Sequence, residues 1–357
     1  MNWSIFSKNR KYLMGLAITI VIVFHWCENF KLLLGDTNYT AMFSHIVSFA
    51  ISKIVWIGAC GVEIFLFLSG IGLYFSFTKN SDLKAFYTKR LIAILIPYFI
   101  IAVPYLLWQD FIYTDRGFMW FLADLSLFTT FTPINRQSWY VALILIMYIV
   151  FPLFYWFMKK QSAVRFIILE AVFCMLPLIV QYFNYDLFKS TEVALTRIPT
   201  FILGVYCGRF VYENKKMKFF PFLLVIALAA TITIKRIMIY KLDMSVTVVS
   251  RYEKAFIMLL LLTAAAYILD KFTLKRTKMF LAFLAPITLE LYLTHVQVRR
   301  MFARLFLNCW TVSTVNLAFV SIIAISLPIS LYVNKLSKKL SGKIKSKKSE
   351  SIGAYTK

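Results

Sequence analysis

Two histidines and one glutamate offer acid–base chemistry within the apolar parts of this sequence. His25 ends one apolar run and His295 ends another, while the third histidine, His45, lies in a more polar segment. If these runs cross a membrane, an ionisable side chain there is costly, which favours a function for His25 and His295 over a passive interfacial position. Glu28 follows His25 by three residues, so on a helix its carboxylate shares the face of the imidazole. It would then orient His25 as a general base; an ordinary interfacial anion is the alternative.

Two acidic residues lie in other apolar segments. Glu63 opens a glycine-rich run, and close packing of helices at its small residues explains that run equally well. Glu290 precedes His295 by five residues, which on a helix turns the two side chains away from one face and leaves a direct pairing open. Tyr292 adds a phenol to the same polar helix end.

The composition fixes the environment that must position these residues. The 357 residues are 61% hydrophobic and 16% charged, and 40 Lys and Arg against 16 Asp and Glu give a net charge of +24. A soluble domain has roughly 45–50% apolar and 25% charged residues, so this chain cannot hide its apolar surface in one aqueous core. The five cysteines are scattered without a CxxC pair, which predicts neither a metal site nor a disulfide framework. The expected fold is an all-α, polytopic membrane protein.

Ten apolar segments are predicted to be membrane helices. They cover residues 12–27, 55–77, 91–108, 139–158, 166–183, 198–212, 219–234, 255–269, 279–298 and 312–333. The first follows basic residues as a signal peptide would, but no small-residue cleavage site follows it, so it is interpreted as an uncleaved helix. The polar segments 31–53 and 110–138 are expected to form interfacial helices or a lid on the outer surface.

The basic residues predict the orientation. With the N-terminus inside, 26 of the 40 lysines and arginines fall in inner segments and the remaining 14 outside, which favours ten helices with both termini in the cytoplasm. The segment 235–254, an outer loop with five basic residues, agrees least with this assignment.

Two domains are predicted, a membrane domain at 1–334 and a basic cytoplasmic tail at 335–357. The tail is expected to be disordered and to contact anionic lipids of the inner leaflet. A nucleic-acid partner is not expected, because the positive charges punctuate apolar helices and do not line a folded basic face.

Six segments in order resemble the membrane-bound acyltransferase 3 family of bacterial O-acyltransferases. They are MGLAITIVIVFH (14–25), GVEIFLFLSGIGLYFS (61–76), FYTKRLIAILIPYF (86–99), SWYVALILIMYIVFPLF (138–154), RIPTFILGVYCGR (197–209) and ITLELYLTHVQV (287–298). The resemblance implies a multi-pass plasma-membrane enzyme with an acyl-CoA donor, usually acetyl-CoA. It further implies a hydroxyl acceptor on a surface glycan or a lipid-linked sugar, and no permanently bound cofactor.

The resemblance also suggests site residues, with two departures from the family pattern. Met14 and Ala93 replace basic residues that are usual in the family, and Arg10, one turn before Met14, is on the same face and can compensate. Arg10, Lys89 and Arg90 are the candidates for binding the CoA phosphates. The catalytic candidates are His25, Glu28 and His295, and the substrate-site candidates are Glu63, Trp139, Arg197, Glu290 and Tyr292.

The mechanism and the class of protein keep alternatives at this stage. His25 would be a general base on the acceptor hydroxyl, or a nucleophile that forms an acyl-imidazole. A transporter or flippase for a glycan or a lipid-linked sugar is a rival class, although no paired interruption of helices in two halves is visible. An inactive family member is the third possibility, in view of Met14 and Ala93.

Overall fold

A computed structural model describes residues 1–42, 58–59, 61–132, 138–159, 163–241, 245–305 and 311–355. The side chains of residues 30–42, 312 and 345–355 are outside this description. His45 and the rest of 43–53, the second half of the predicted outer segment 31–53, therefore lie outside the described residues.

The described residues form helices joined by short connections. The helices are α1 (Ile5–Lys8), α2 (Arg10–Met42), α3 (Gly61–Lys79), α4 (Leu83–Leu107), α5 (Phe118–Leu125), α6 (Trp139–Lys159), α7 (Ala163–Phe183), α8 (Tyr185–Leu195), α9 (Ile198–Tyr212), α10 (Phe220–Lys241), α11 (Thr247–Lys271), α12 (Lys275–Leu284), α13 (Thr288–Leu305) and α14 (Val312–Tyr355). A π-helical turn, Trp108–Tyr113, extends α4, and 3-10 turns occur at Phe128–Phe131 and Ala285–Ile287. No strand is present among the described residues, so the all-α prediction is confirmed.

Nine of the described helical segments are long and apolar enough to cross a membrane. They match nine of the ten predicted spans, and the tenth, residues 198–212, forms the 15-residue α9. At 1.5 Å per residue α9 is about 22 Å long, short of the roughly 30 Å hydrocarbon thickness. The chain is a polytopic membrane protein; the count of ten crossings stays a prediction.

Helices α3 and α9 lie close together because each presents a glycine to the other. A Cβ atom on Gly70 would lie 2.6 Å from the carbonyl oxygen of Phe201, and one on Gly204 would overlap the carbonyl oxygen of Phe67. A larger side chain at either position would push the backbones apart. The glycine-rich run that contains Glu63 therefore serves helix packing. Close packing at small residues was one of the two interpretations of this run.

The segment 235–254 is mostly helical, which explains its unusual content of basic residues. Helix α10 extends to Lys241 and α11 begins at Thr247, so only a short connection remains. The Nζ atom of Lys235 lies 2.8 Å from a carboxylate oxygen of Glu253, and this ion pair joins the two helices. The charges thus belong to helix ends and not to a long outer loop.

The segment after α4 has a buried polar side and an exposed apolar side; its placement on the outer surface stays a prediction. The side chains of Asp110 and Asp124 are buried and both accept hydrogen bonds from Arg116. Burial alone would lower the pKa of Arg116, but the two carboxylates raise it. Met119 and Phe128 are exposed on the opposite surface of the same segment. A polar, bonded interior with an apolar exterior is typical of an interfacial segment.

The last helix continues beyond the membrane domain. Helix α14 runs from Val312 to Tyr355 and so includes most of the basic segment 335–357, where the sequence analysis expects disorder. The structure shows this segment as helix; the division into a membrane domain and a tail stays a prediction.

Candidate active site

A cavity of about 290 Å³ lies at the helix ends that the sequence assigns to the outside. Its walls come from six helices and from the 3-10 turn that follows α5. The residues that line it are Val21, Phe24, His25, Glu28, Gly58, Ala59, Val62, Phe131, Trp139, Ser190, Val193, Ala194, Arg197, Arg251, Tyr292, Val296, Arg299 and Arg300. Five of the predicted site residues are among them: His25, Glu28, Trp139, Arg197 and Tyr292.

His25 and Glu28 form a hydrogen-bonded pair on one face of α2. The Nδ1 atom of His25 lies 3.0 Å from a carboxylate oxygen of Glu28. When Nδ1 carries the proton and donates it to this carboxylate, Nε2 keeps its lone pair, which is the arrangement that a general base needs. The spacing of three residues thus produces the contact that the sequence predicted.

Arg299 of α13 completes this cluster, and the sequence analysis missed it. Its Nη2 atom lies 2.9 Å from the Glu28 carboxylate, and its Nε donates to Asn29 at 2.5 Å. Its Nη1 lies 2.9 Å from Nδ1 of His25. Since Nδ1 cannot donate to Glu28 and accept from Arg299 at the same moment, the geometry allows two neutral tautomers of His25.

His295 lies behind His25 and does not line the cavity. The centroids of the two imidazole rings are 5.3 Å apart. The Nδ1 atom of His295 donates to the carbonyl oxygen of Leu291 at 2.6 Å, and its buried Nε2 has no hydrogen-bond partner among the described residues. His295 therefore packs against the imidazole of His25 without lining the cavity itself.

Arg197 and Glu63 form a buried pair in the wall of the cavity. The two side chains are 3% and 2% exposed, and Nε of Arg197 lies 3.2 Å from Glu63. Arg197 also donates to two backbone carbonyls at 2.7 Å and lies 4.8 Å over the ring of Trp139. These contacts hold Arg197 and Trp139 in fixed positions, so this wall of the cavity is preorganised.

Glu290 lies away from the outer cavity. It is on α13, but its carboxylate accepts a hydrogen bond of 2.9 Å from Asn334 of α14. It lines a separate hollow beside α14, together with Ala93 and Lys338. The helical offset from His295 explains this placement, because the two side chains project from different sides of α13.

A smaller cavity of about 120 Å³ lies further toward the predicted cytoplasmic side. Arg10, Met14, Ser69 and Tyr148 line it, and Tyr292 lines both this cavity and the outer one. Tyr292 therefore occupies the boundary between the two cavities. Met14, which replaces a basic residue of the family pattern, adds an apolar side chain to the narrow cavity.

The three predicted phosphate-binding residues have different surroundings. The Nη2 atom of Arg90 donates to Ser76 at 2.8 Å, and its guanidinium lies 6.0 Å from the ring of Tyr148. Arg10 lies against Gly72, where a Cβ would come within 3.0 Å of the Arg10 guanidinium. Lys89 is exposed. Arg90 thus lies near Tyr148, which lines the narrow cavity together with Arg10, and Lys89 is not part of that cavity.

Three further polar residues in the cavity wall were not singled out from the sequence. Arg251 of α11 makes two hydrogen bonds to Glu192 of α8, at 3.0 and 3.2 Å. Ser190 and Arg300 also line the cavity. The arginines could have been found by the reasoning used for the histidines. A charged side chain at the end of an apolar helix is costly, which favours a function for it.

The family comparison agrees with this geometry. Residues 11–335 match the family model Acyl_transf_3, which is described as an acyltransferase domain. The match covers nearly the whole chain, so the chain belongs to this acyltransferase family, and it is a membrane acyltransferase. Comparisons with curated proteins and with solved structures find no match.

Proposed function

We propose that this protein transfers an acyl group, in the first instance acetyl, from cytoplasmic acyl-CoA to a hydroxyl group of a surface glycan or a lipid-linked sugar. The plasma membrane is the proposed location. The observation that carries the proposal is the hydrogen-bonded pair of His25 and Glu28 in a cavity beside the middle of α2, with Arg10 at the start of the same helix.

The donor would bind at the cytoplasmic mouth. Guanidinium and ammonium groups pair well with phosphate, so Arg10, Lys89 and Arg90 are the proposed contacts of the CoA phosphates. Fifteen residues separate Arg10 from His25, which corresponds to about 22 Å along the helix. An extended pantetheine arm that passes through the narrow cavity and past Tyr292 would bring the thioester to His25.

The transfer needs one proton acceptor and one proton donor, and His25 would serve as both. Its Nε2 takes the proton of the acceptor hydroxyl while the hydroxyl oxygen attacks the thioester carbonyl carbon. The C–S bond then breaks, and the CoA sulfur leaves as the thiol with the proton that His25 returns. Glu28 holds Nδ1–H throughout and stabilises the positive charge that develops on the ring. In the alternative route Nε2 itself attacks the carbonyl and an acyl-imidazole forms first.

Membership of an acyltransferase family favours the enzyme over the transporter or flippase. Prolines occur inside α4, α6, α7 and α14, without the corresponding placement in two halves that a transporter of inverted repeats shows. An inactive member would retain the fold and lack turnover, so a measurement of turnover separates it from the enzyme.

The experiment compares surface glycans of cells that express the wild-type protein, the His25→Ala variant or no protein. Mass spectrometry should find an ester-bound acyl group only with the wild type. Trp26→Phe is a matched control, because Trp26 is adjacent in sequence but faces α14, where its indole donates to Asn316. Acylation that persists with His25→Ala, or that is absent with the wild type, would contradict the proposal.

A further inference from the structure

Among the described residues that surround the outer cavity, the arginines outnumber the carboxylates that pair with them. Four arginines line it, and three of them are each paired with a carboxylate: Arg197 with Glu63 at 3.2 Å, Arg251 with Glu192 at 3.0 Å, and Arg299 with Glu28 at 2.9 Å. Arg300 makes no hydrogen bond or ion pair within the part of the chain that the structure describes. Among the described residues, one positive charge therefore remains on the cavity wall without a carboxylate partner.

The surroundings of Arg300 make this charge costly in the empty cavity. Arg300 is half-buried on α13, and the described groups that interact with its charge are His25, Tyr105, Tyr292, Arg299 and Arg304. Two of these are phenols, one is an imidazole and two are further cations, so none of them is an anion. A partly buried cation among such neighbours loses hydration without gaining an anion, so a ligand that brings a negative charge would be bound favourably.

Arg299 and Arg300 are adjacent in sequence but have different tasks. Arg299 already contacts Glu28, Asn29 and Nδ1 of His25, which commits its guanidinium to positioning the base. Arg300 has no such contacts and is free to bind a group elsewhere on the molecule in the cavity. A guanidinium fits a carboxylate or a phosphate with two parallel hydrogen bonds.

We propose that the acceptor carries an anionic group, a carboxylate or a phosphate, and that Arg300 pairs with it in the outer cavity. This inference rests on the proposed acyl transfer and names its substrate class as an acidic glycan. The cavity of about 290 Å³ holds one small unit of the acceptor. Trp139 and Phe131 offer aromatic surfaces for the apolar face of that unit.

The first test identifies which glycans are acylated in cells. Surface glycans from cells with the wild-type protein and with His25→Ala are separated by anion exchange into neutral and acidic fractions, and ester-bound acetyl is measured in each. The inference expects acetyl on the acidic fraction, dependent on His25. Acetyl confined to the neutral fraction would overturn the inference and leave the acyltransferase intact. Absence of acetyl from both fractions would instead contradict the proposed function.

The second test distinguishes the two sources of negative charge. One portion of the acidic glycan fraction has its carboxylates reduced, and another has its phosphates removed. Each treated portion, and an untreated one, is then supplied with acetyl-CoA to proteoliposomes. Loss of acceptor activity after one treatment identifies the group that Arg300 binds. Full activity after both treatments together would overturn the inference.

The third test assigns the contact to Arg300. In Arg300→Gln the KM for the acidic glycan should rise about tenfold or more, while the KM for acetyl-CoA stays the same. Arg300→Lys should recover part of the loss because it keeps the charge. Arg236→Gln removes an exposed arginine that does not line the cavity and should leave all constants unchanged.

A fourth measurement uses only the wild-type enzyme, so it remains informative if an Arg300 variant fails to fold. The KM of the wild-type enzyme for the acidic glycan should rise with ionic strength, because salt screens the attraction between the glycan and Arg300. An Arg300→Gln enzyme with wild-type constants, or a salt-independent KM, would overturn the inference.

Discussion

Arg299 of α13 and Glu28 of α2 form an ion pair of 2.9 Å that joins the two helices beside the imidazole of His25. The same guanidinium lies 2.9 Å from Nδ1 of His25. Glu28 therefore has two partners, and its carboxylate both orients the base and neutralises a neighbouring cation. The candidate site is thus built from two helices whose charged residues are about 270 positions apart in the chain.

Replacement of Glu28 by glutamine should reduce turnover without abolishing it. The amide keeps the size of the side chain but loses the negative charge that stabilises protonated His25, and a loss of about 10- to 100-fold in kcat is expected. Acetyl transfer by purified enzyme in proteoliposomes measures the effect. Glu213→Gln is the control, because Glu213 follows the last residue of α9, does not line the outer cavity, and pairs with Arg209 and Lys215. Wild-type kcat in Glu28→Gln would remove Glu28 from the mechanism.

Arg90→Ala should raise the KM for acetyl-CoA more than it lowers kcat. A phosphate contact far from the thioester contributes equally to the bound ground state and the transition state. Steady-state kinetics with varied acetyl-CoA check this expectation. Lys84→Ala, near the start of the same helix, removes an exposed charge without a side-chain contact to the narrow cavity. If Arg90→Ala leaves the donor KM unaltered, Arg90 does not bind the donor.

Gly204→Ala should destabilise the protein. The added methyl group would overlap the carbonyl oxygen of Phe67, so α3 and α9 would have to separate, at a cost of about 1–3 kcal/mol. Thermal unfolding of the detergent-solubilised protein measures the change. Gly342→Ala is the matched control, since nothing lies within 4 Å of a Cβ at that position. An unchanged Tm in Gly204→Ala would show that the α3–α9 contact is looser than described.

The orientation in the membrane predicts which positions an impermeant thiol reagent reaches. In a variant without native cysteines, a cysteine at Lys216 should be protected in intact cells and one at Asp186 should be labelled. Both side chains are exposed, so access to solvent does not distinguish them and only the side of the membrane does. Labelling of the Lys216→Cys variant from outside would contradict the assignment of a cytoplasmic N-terminus.

The sequence predicts the local features of this fold and site better than the distant ones. The contact of His25 with Glu28 follows from a spacing of three on a helix, and the packing role of Gly70 follows from its small size. The cluster around Arg299 requires knowledge of which helices are neighbours, and no local pattern supplies that. The continuation of α2 to Met42 was missed because polar residues end the apolar run without ending the helix.

The most direct test of the central claim uses sealed proteoliposomes of known orientation, with acetyl-CoA supplied on the cytoplasmic face and the glycan acceptor on the outer face. A general base contributes about 10² to 10⁴ in rate, so His25→Ala should lose a factor of about 10² or more in transfer rate. It should still bind acetyl-CoA, and Trp26→Phe should transfer at the wild-type rate. The account predicts acylated glycan on the outer face with the wild type alone. Near wild-type transfer by His25→Ala, or transfer only when donor and acceptor share one side, would contradict it.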